Sequence, residues 1–402
     1  MIRFDSNSLA IMEMALHWTD GVAQFTDRII ARRVNAWRDI FPGGLRERLD
    51  GKGEGETVSL DFGPGELVPP RTPTRVLELG LRRFRGRAMD GKTVSPCLGR
   101  FYPLGMFSHL AGVYPSTMTP GRVTYVDGDT LILDRNHPMA GYPIRLEASI
   151  QTLQAKSSET GGQLSHWGEE LCDNGPGMQA RLPSGTTDFL VDGFLDRPHD
   201  DDASFYAEPR IIGHVDRRAS ENIASLYARL LQPGMRVLDL MSSVQSHLPE
   251  GMDLDVVGLG MNADELSANP ALSERLVHDL NRDPAVPLSG PFDAALISLS
   301  IEYLTDPVAV LHNVREQLAP GGVILVATSN RWFPGKAVRG WTELHEFERV
   351  GYILHLLTLA GFTGPMGAES IRNDWRPQDD PHFLETRGVS DPVYRVYAHR
   401  GD

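Results

Sequence analysis

Apolar positions follow two different rhythms along this chain of 402 residues. In the C-terminal half, short and nearly continuous apolar runs alternate with longer segments of helical period, as in a doubly wound parallel sheet covered on both faces. Val237, Leu238 and Leu240 predict a first strand after the turn Gln232-Pro233-Gly234. Asp255–Gly260 predicts a second strand, Arg275–Leu280 a third, Phe292–Leu299 a fourth, and Ala319–Thr328 a turn and a fifth. Helices are expected between these strands, from about Arg217 to Leu231 ahead of them, and from about Thr342 to Ala360 after them. The last carries His345 and Glu348 three apart, read as a solvated pair.

Residues 1–155 alternate instead, which is the mark of half-buried antiparallel strands. Met14–Phe25 is a hairpin around Asp20-Gly21, and Val123–Asp134 is another around Asp127-Gly128. Ile144, Leu146, Ala148 and Ile150 then mark one face of a further strand. Residues 156–204 connect the halves, with Ser157–Gly162 as linker composition. Within them Asn174–Gln179 is rich in Gly and Pro, and reads either as a lid over a cleft or as an ordinary surface loop.

The run LLQPGMRVLDLMSS, with VHDLNRDPAVPLSGPFDAALISLSIEYLTDPVAVLHNVREQLAPGGVILVATSNRWFP after it, resembles class I S-adenosylmethionine (SAM)-dependent methyltransferases of the type 11 branch. The resemblance covers about residues 205–365 and implies a Rossmann-like sheet with SAM as cofactor. It places Asp239 as the acid that organises the first loop, and Asp279 with Leu280 at the adenine. The family's G-x-G-x-G falls on Met241, Ser243 and Gln245, and its ribose-binding acid falls on Gly260 of GLGMN. Asn262, or a shifted loop carrying Ser242 and Ser243, is the expected substitute. Met261 and Ser298 complete the cofactor-binding set. The bland reading gives Asp239 a capping role and lets Asp279 start a turn. His214, His247 and Tyr303 are the candidate catalytic or acceptor-binding residues. His214 stands two residues before Asp216, a spacing that in an extended segment would let the carboxylate orient the imidazole. Tyr303 has the alternative of anchoring its loop, and Asn330-Arg331-Trp332-Phe333 could hold the acceptor.

Arg135–Leu153, with its NHPMAG segment, resembles FKBP-type peptidyl-prolyl isomerases of the SlyD branch, as does Ile40–Gly51, placed as that family's central helix, with GEGETVSLDFGPGE after it. The resemblance implies an α+β, mainly antiparallel domain. Of the family's aromatic pocket only Trp37, Phe41 and Tyr142 have counterparts, and Leu146 stands where Phe is usual. A docking or structural role is therefore expected ahead of isomerase activity.

Composition narrows the function further. With 39 Lys and Arg against 53 Asp and Glu, the formal charge is -14. That balance disfavours nucleic acid as partner, since phosphate binding needs clustered cations, and the one dense basic run, Arg82–Arg87, reads as a solvated loop or edge. Two cysteines suit neither a disulfide framework nor a cysteine metal site. No metal is expected, although His199-Asp200-Asp201-Asp202 with His214 is the set a metal would use. There is no long apolar run and no signal-peptide layout, so the expectation is a cytoplasmic protein away from membranes. The reading is a SAM-dependent methyltransferase acting on a small thiol, amine or oxygen nucleophile. Its alternatives are a non-catalytic assembly or chaperone-like protein and a protein or peptide methyltransferase, with a homo-oligomer or a protein partner left open through the N-terminal domain.

Overall fold

The computed structural model describes residues 2–86, 93–156, 163–173, 175, 179, 189–191, 193–198 and 201–401. Its N-terminal strands are Ser8–Thr19 (β1), Ala23–Asn35 (β2), Thr57–Phe62 (β3), Val76–Gly80 (β4), Phe101–Pro103 (β5), Pro120–Asp127 (β6), Thr130–Asp134 (β7) and Ile144–Ala155 (β8). Arg236–Leu240 (β9), Asp255–Gly260 (β10), Glu274–Val277 (β11), Phe292–Ser298 (β12), Leu318–Thr328 (β13), Met366–Arg372 (β14) and Val393–His399 (β15) follow. The helices are Leu45–Leu49 (α1), Trp167–Cys172 (α2), Asp202–Phe205 (α3), Arg217–Tyr227 (α4), Ala263–Ala268 (α5), Pro307–Gln317 (α6), Arg339–Glu343 (α7) and Glu346–Leu359 (α8).

Eleven strands form one mixed sheet in the order β11-β10-β9-β12-β13-β15-β14-β2-β1-β8-β3, and β4-β7-β6-β5 form a small antiparallel sheet. Strands β9 to β13 are parallel, as their continuous apolar runs predict. Side chains of successive residues point to opposite faces, so Leu238, Ile324 and Val326 join one core with α6 and α8, while Val237, Val323 and Leu325 join another with α4. The chain runs outward from β9 through β10 to β11, then returns to β12 on the other side of β9. That reversal opens a crevice at the carboxyl ends of β9 and β12.

Parallel pairing of β14 with β2 carries the sheet into the N-terminal strands. Charges fasten this seam: Arg372 forks onto Asp27 at 3.1 Å through Nε and Nη2, and Glu369 accepts from Arg28 at 3.0 Å and lies 2.9 Å from Arg395. The small sheet has its own core around Val123, Leu131 and Leu133 and docks on α8. There Arg100 donates to Glu348 at 3.0 Å and the Phe101 N–H reaches the same carboxylate at 2.8 Å.

Several expectations shift by a turn or a few residues. The third strand stops at Val277, leaving His278–Asn281 in a loop, and the helix before the first strand stops at Tyr227. The hairpin between β6 and β7 pairs Asp127 with Thr130, so Gly128-Asp129 make its turn. The long helix begins only at Glu346, with His345 as its N-cap and Glu348 in a capping box. Glu348 is fully buried rather than solvated, because docking of the small sheet covers it. Ser157–Gly162 and most of Asn174–Gln179 lie outside the described residues; Gln179 packs on Gly351 of α8. Trp37, Phe41 and Tyr142 each find a different neighbour: Trp37 is exposed beneath Lys156, Phe41 meets Phe4, and Tyr142 meets Trp18. No helix among the described residues is long and apolar enough to cross a membrane.

Candidate functional site

A cavity of about 240 Å³ occupies the crevice at the carboxyl ends of the parallel strands. Asp239 enters from β9, Met241, Ser242, Ser243 and His247 from the loop after it, Gly260 from the end of β10, and Met261 and Asn262 from the turn that follows. Asp279 and Leu280 come from the loop after β11, Ser298 and Tyr303 from the end of β12, and His214 from the segment before α4. One cavity thus gathers every candidate cofactor and catalytic residue. Arg331, Trp332 and Phe333 after β13 close its far wall.

The loop after β9 keeps a tight course without glycines. Met241 and His247 sit at φ 52° and 51°, the left-handed region that glycine enters without steric cost. Asp239 holds this course, since its buried carboxylate accepts from Ser242 Oγ and Ser246 Oγ, each at 2.6 Å. Burial pushes the Asp239 carboxyl up to about 6, against the two hydroxyl hydrogen bonds.

Gly260 is required by its surroundings. A Cβ there would stand 2.2 Å from the Ser242 carbonyl oxygen, with Leu266 on its other side. The acid that the sequence resemblance would place at this position is sterically excluded. The carboxylate facing the crevice is Glu265, one turn into α5. It accepts from the Arg210 N–H at 2.7 Å and from Ser243 Oγ at 2.6 Å. Sequence reasoning missed Glu265 because Asn262 and Glu265 have the spacing of a capping box, a helix-start signature. Asn262 does cap α5, accepting from Asp264 N and Glu265 N, while its amide donates to the Tyr206 carbonyl at 2.9 Å.

Asp279 starts a turn, accepting from Asn281 N at 2.9 Å through one oxygen, while it also faces the cavity. Beside it Arg197 and Asp202 are stapled together. Asp202 receives Arg197 at 2.9 and 2.7 Å, Asn281 at 2.9 Å and Lys336 at 2.5 Å. Burial opposes ionisation there, yet these donors hold the carboxyl below its usual range. Asp202 is therefore an ion-pair centre. His199 and Asp200, named with it as metal ligands, lie outside the described residues. Among the described residues no group of three His, Cys, Asp or Glu could hold a metal.

The dyad expected of His214 and Asp216 is not formed. Asp216 caps α4, accepting from Arg218 N, Ala219 N, Ser390 Oγ and Asp391 N, and it does not line the cavity. Burial pushes His214 down, opposed by Glu265, and its ring meets Phe333 edge-on with 5.7 Å between centroids. Burial, then the neighbouring His214, push His247 down to about 4. Its Nδ1 lies 2.8 Å from Ser220 Oγ, which itself receives Gln245 Nε2 at 2.8 Å. This arrangement favours a hydroxyl donating to Nδ1 and a ring proton on Nε2. Tyr303 accepts from the Phe333 N–H at 2.9 Å, and burial raises its hydroxyl well above the ordinary range. It ties the loop after β12 to the loop after β13, the anchoring alternative.

His247 makes stability depend on pH. An unfolded histidine takes a proton near pH 6.5 and this one only near 4, so stability present above 6.5 is lost as pH falls between those values. Relative to a His247→Asn variant, the native protein should lose about 2 kcal/mol between pH 7.5 and 5.0. Urea unfolding of both proteins at the two pH values measures this; an unchanged difference would show that His247 titrates normally.

No protein-family model matches the chain, and no curated protein matches it. Over about half its length it is similar to solved structures of SAM-dependent methyltransferases and the [4+2]-cyclase SpnF. The cyclase is 15% identical, covering 50% of this chain and 91% of its own, with a TM-score of 0.33. A SAM-dependent methyltransferase from Archaeoglobus fulgidus is 12% identical over 46% of this chain and 94% of its own, with a TM-score of 0.33. Phospholethanolamine N-methyltransferase 2 of Haemonchus contortus, solved with phosphomonomethylethanolamine and S-adenosylhomocysteine, is 15% identical over 45% of this chain and 52% of its own, with a TM-score of 0.31.

Proposed function

We propose that this chain is a SAM-dependent methyltransferase acting on a small-molecule nucleophile. The observation that carries the reading is the cavity at the switch point of the parallel sheet, where Gly260 lets strand and loop backbones close together and carboxylates line one side. These residues fit the cofactor. Asp279 would accept from the adenine amino group, Glu265 would take the ribose hydroxyls in place of the excluded acid while Asn262 caps its helix, and residues 241–245 would face the methionine portion.

When bound, SAM supplies an electrophilic methyl on a sulfonium. The protein's share is then alignment of the acceptor, which can be worth about 7 to 11 kcal/mol of barrier. Trp332 and Phe333 provide a wall for that alignment, with the Arg349 guanidinium 4.4 Å from the Trp332 ring centroid. His214 and His247 have basicities lowered by burial, and the Tyr303 hydroxyl holds its proton. An acceptor that arrives already nucleophilic, such as a thiolate or neutral amine, therefore suits this site better than an alcohol.

For residues 1–155 an FKBP-like build with a structural role is favoured over isomerase activity. Their sheet continues the methyltransferase sheet, and Arg100 clamps Glu348, the neighbour of Arg349 behind Trp332. Glu265→Gln should weaken S-adenosylhomocysteine and adenosine binding by about ten- to a hundredfold, the worth of a charged hydrogen bond. Thermal-shift titration with each ligand checks this. Equal affinity in the variant would mean that the ribose is held elsewhere.

A further inference from the structure

We infer that the methyl acceptor carries a carboxylate and that Arg331 recognises it. The inference rests on the methyltransferase reading for the identity of the ligand, and on the following geometry for its chemistry.

Charge is segregated across the cavity. Its carboxylates, Asp239 at the end of β9, Glu265 in α5, Asp279 after β11 and Asp202 in α3, lie on the side where the nucleoside would sit, and Arg210 lines that side too, its guanidinium spent on the Phe205 carbonyl and ring. On the loops after β12 and β13 the one charged lining residue is Arg331. Its guanidinium is held from one side: Nε donates to Asp391 Oδ1 at 3.1 Å. Asp391 cannot swing away, because it is buried, its Oδ1 also receives Arg376 at 2.5 Å, and its Oδ2 receives the Asp216 N–H at 3.1 Å. Asp391 thus holds Arg331 through Nε alone, as part of a cluster in which Arg376 also meets Asp216 and Asp380.

With Nε committed, Arg331 offers its two Nη groups, a planar pair of donors that matches the two oxygens of a carboxylate. The side chain is 38% exposed, so a ligand entering the cavity can reach it. Trp332 and Phe333 follow it directly in the cavity wall and supply an apolar surface for the rest of the molecule. Phe333 is pinned through its N–H to Tyr303 and Trp332 is backed by Arg349, so both walls are fixed before a ligand arrives. A monocarboxylate on a small apolar or aromatic body fits this combination.

Benzoate, benzamide and phenyl phosphate are suitable probes, titrated calorimetrically into the full-length protein with and without S-adenosylhomocysteine. Benzoate is expected to bind at least about tenfold more tightly than benzamide, and Arg331→Met to abolish that difference. Arg331→Lys, which keeps the charge but loses the fork, should retain part of it, and unfolding midpoints establish that both variants are folded. Binding of S-adenosylhomocysteine and 5′-methylthioadenosine should stay within about twofold of native in both variants, because neither should need Arg331. Equal binding of benzoate and benzamide, or a preference for phenyl phosphate, would overturn the inference. So would an Arg331→Met variant that weakens S-adenosylhomocysteine but spares 5′-methylthioadenosine, since Arg331 would then hold the cofactor's own carboxylate. If S-adenosylhomocysteine fails to bind at all, the methyltransferase reading falls, and benzoate discrimination in the free protein still decides the role of Arg331.

Discussion

Asp202→Asn is expected to cost about 3 to 5 kcal/mol of stability, the usual result of leaving a buried charge without its partner. Two cations depend on this carboxylate: the Arg197 and Lys336 side chains are 4% and 1% exposed. The same carboxylate holds Asn281, whose side-chain oxygen accepts from Thr305 N at 2.8 Å and whose amide reaches the Tyr303 carbonyl at 3.0 Å. Loss of Asp202 should therefore also loosen the Asp279 side of the cavity. A double variant, Asp202→Asn with Lys336→Met, removes one stranded cation and should recover more than about 1 kcal/mol of the loss. Chemical denaturation of the single and double variants measures both quantities. Strict additivity would show that Lys336 does not depend on Asp202.

The second large effect concerns the position where the family resemblance expects an acid. Gly260→Asp should not restore cofactor binding; it should weaken it. The new Cβ would lie 2.2 Å from a backbone oxygen, so relief requires moving the loop and breaking the 2.8 Å hydrogen bond from Ser242 N to Leu259 O. Overpacking of this kind costs about 1 to 3 kcal/mol, and Gly260→Ala should incur most of it. Affinity for S-adenosylhomocysteine should fall by about a hundredfold or more in either variant. Tighter binding by Gly260→Asp would mean that the loop yields and that Glu265 is not the ribose ligand.

The parallel sheet is legible in the sequence because its inner strands are buried on both faces and so read as apolar runs, while the edge strand β11 is mostly exposed. Arg236–Leu240 and Phe292–Ser298 lie within a residue of their expected bounds. The end of the third strand, expected at Leu280, was harder to place, since Leu280 is apolar while pairing with β10 ends at Val277. The site was partly legible, as loops at the carboxyl ends of such strands converge by topology alone. What periodicity cannot carry is partnership between distant segments. Nothing local distinguishes Glu265 as a cavity acid from Glu265 as a helix cap, or marks Asp216 as bound to Ser390 rather than to His214. The fully buried Glu348 likewise looks like a surface residue until the small sheet, about 250 positions earlier in the chain, is seen to cover it.

Calorimetric titration of the purified protein with S-adenosylhomocysteine tests the central claim most directly. The account predicts saturable binding in the micromolar range, weakened by Glu265→Gln and by Asp279→Ala. Absence of binding at millimolar ligand, with the protein folded, would contradict it and leave a methyltransferase-like sheet serving another purpose.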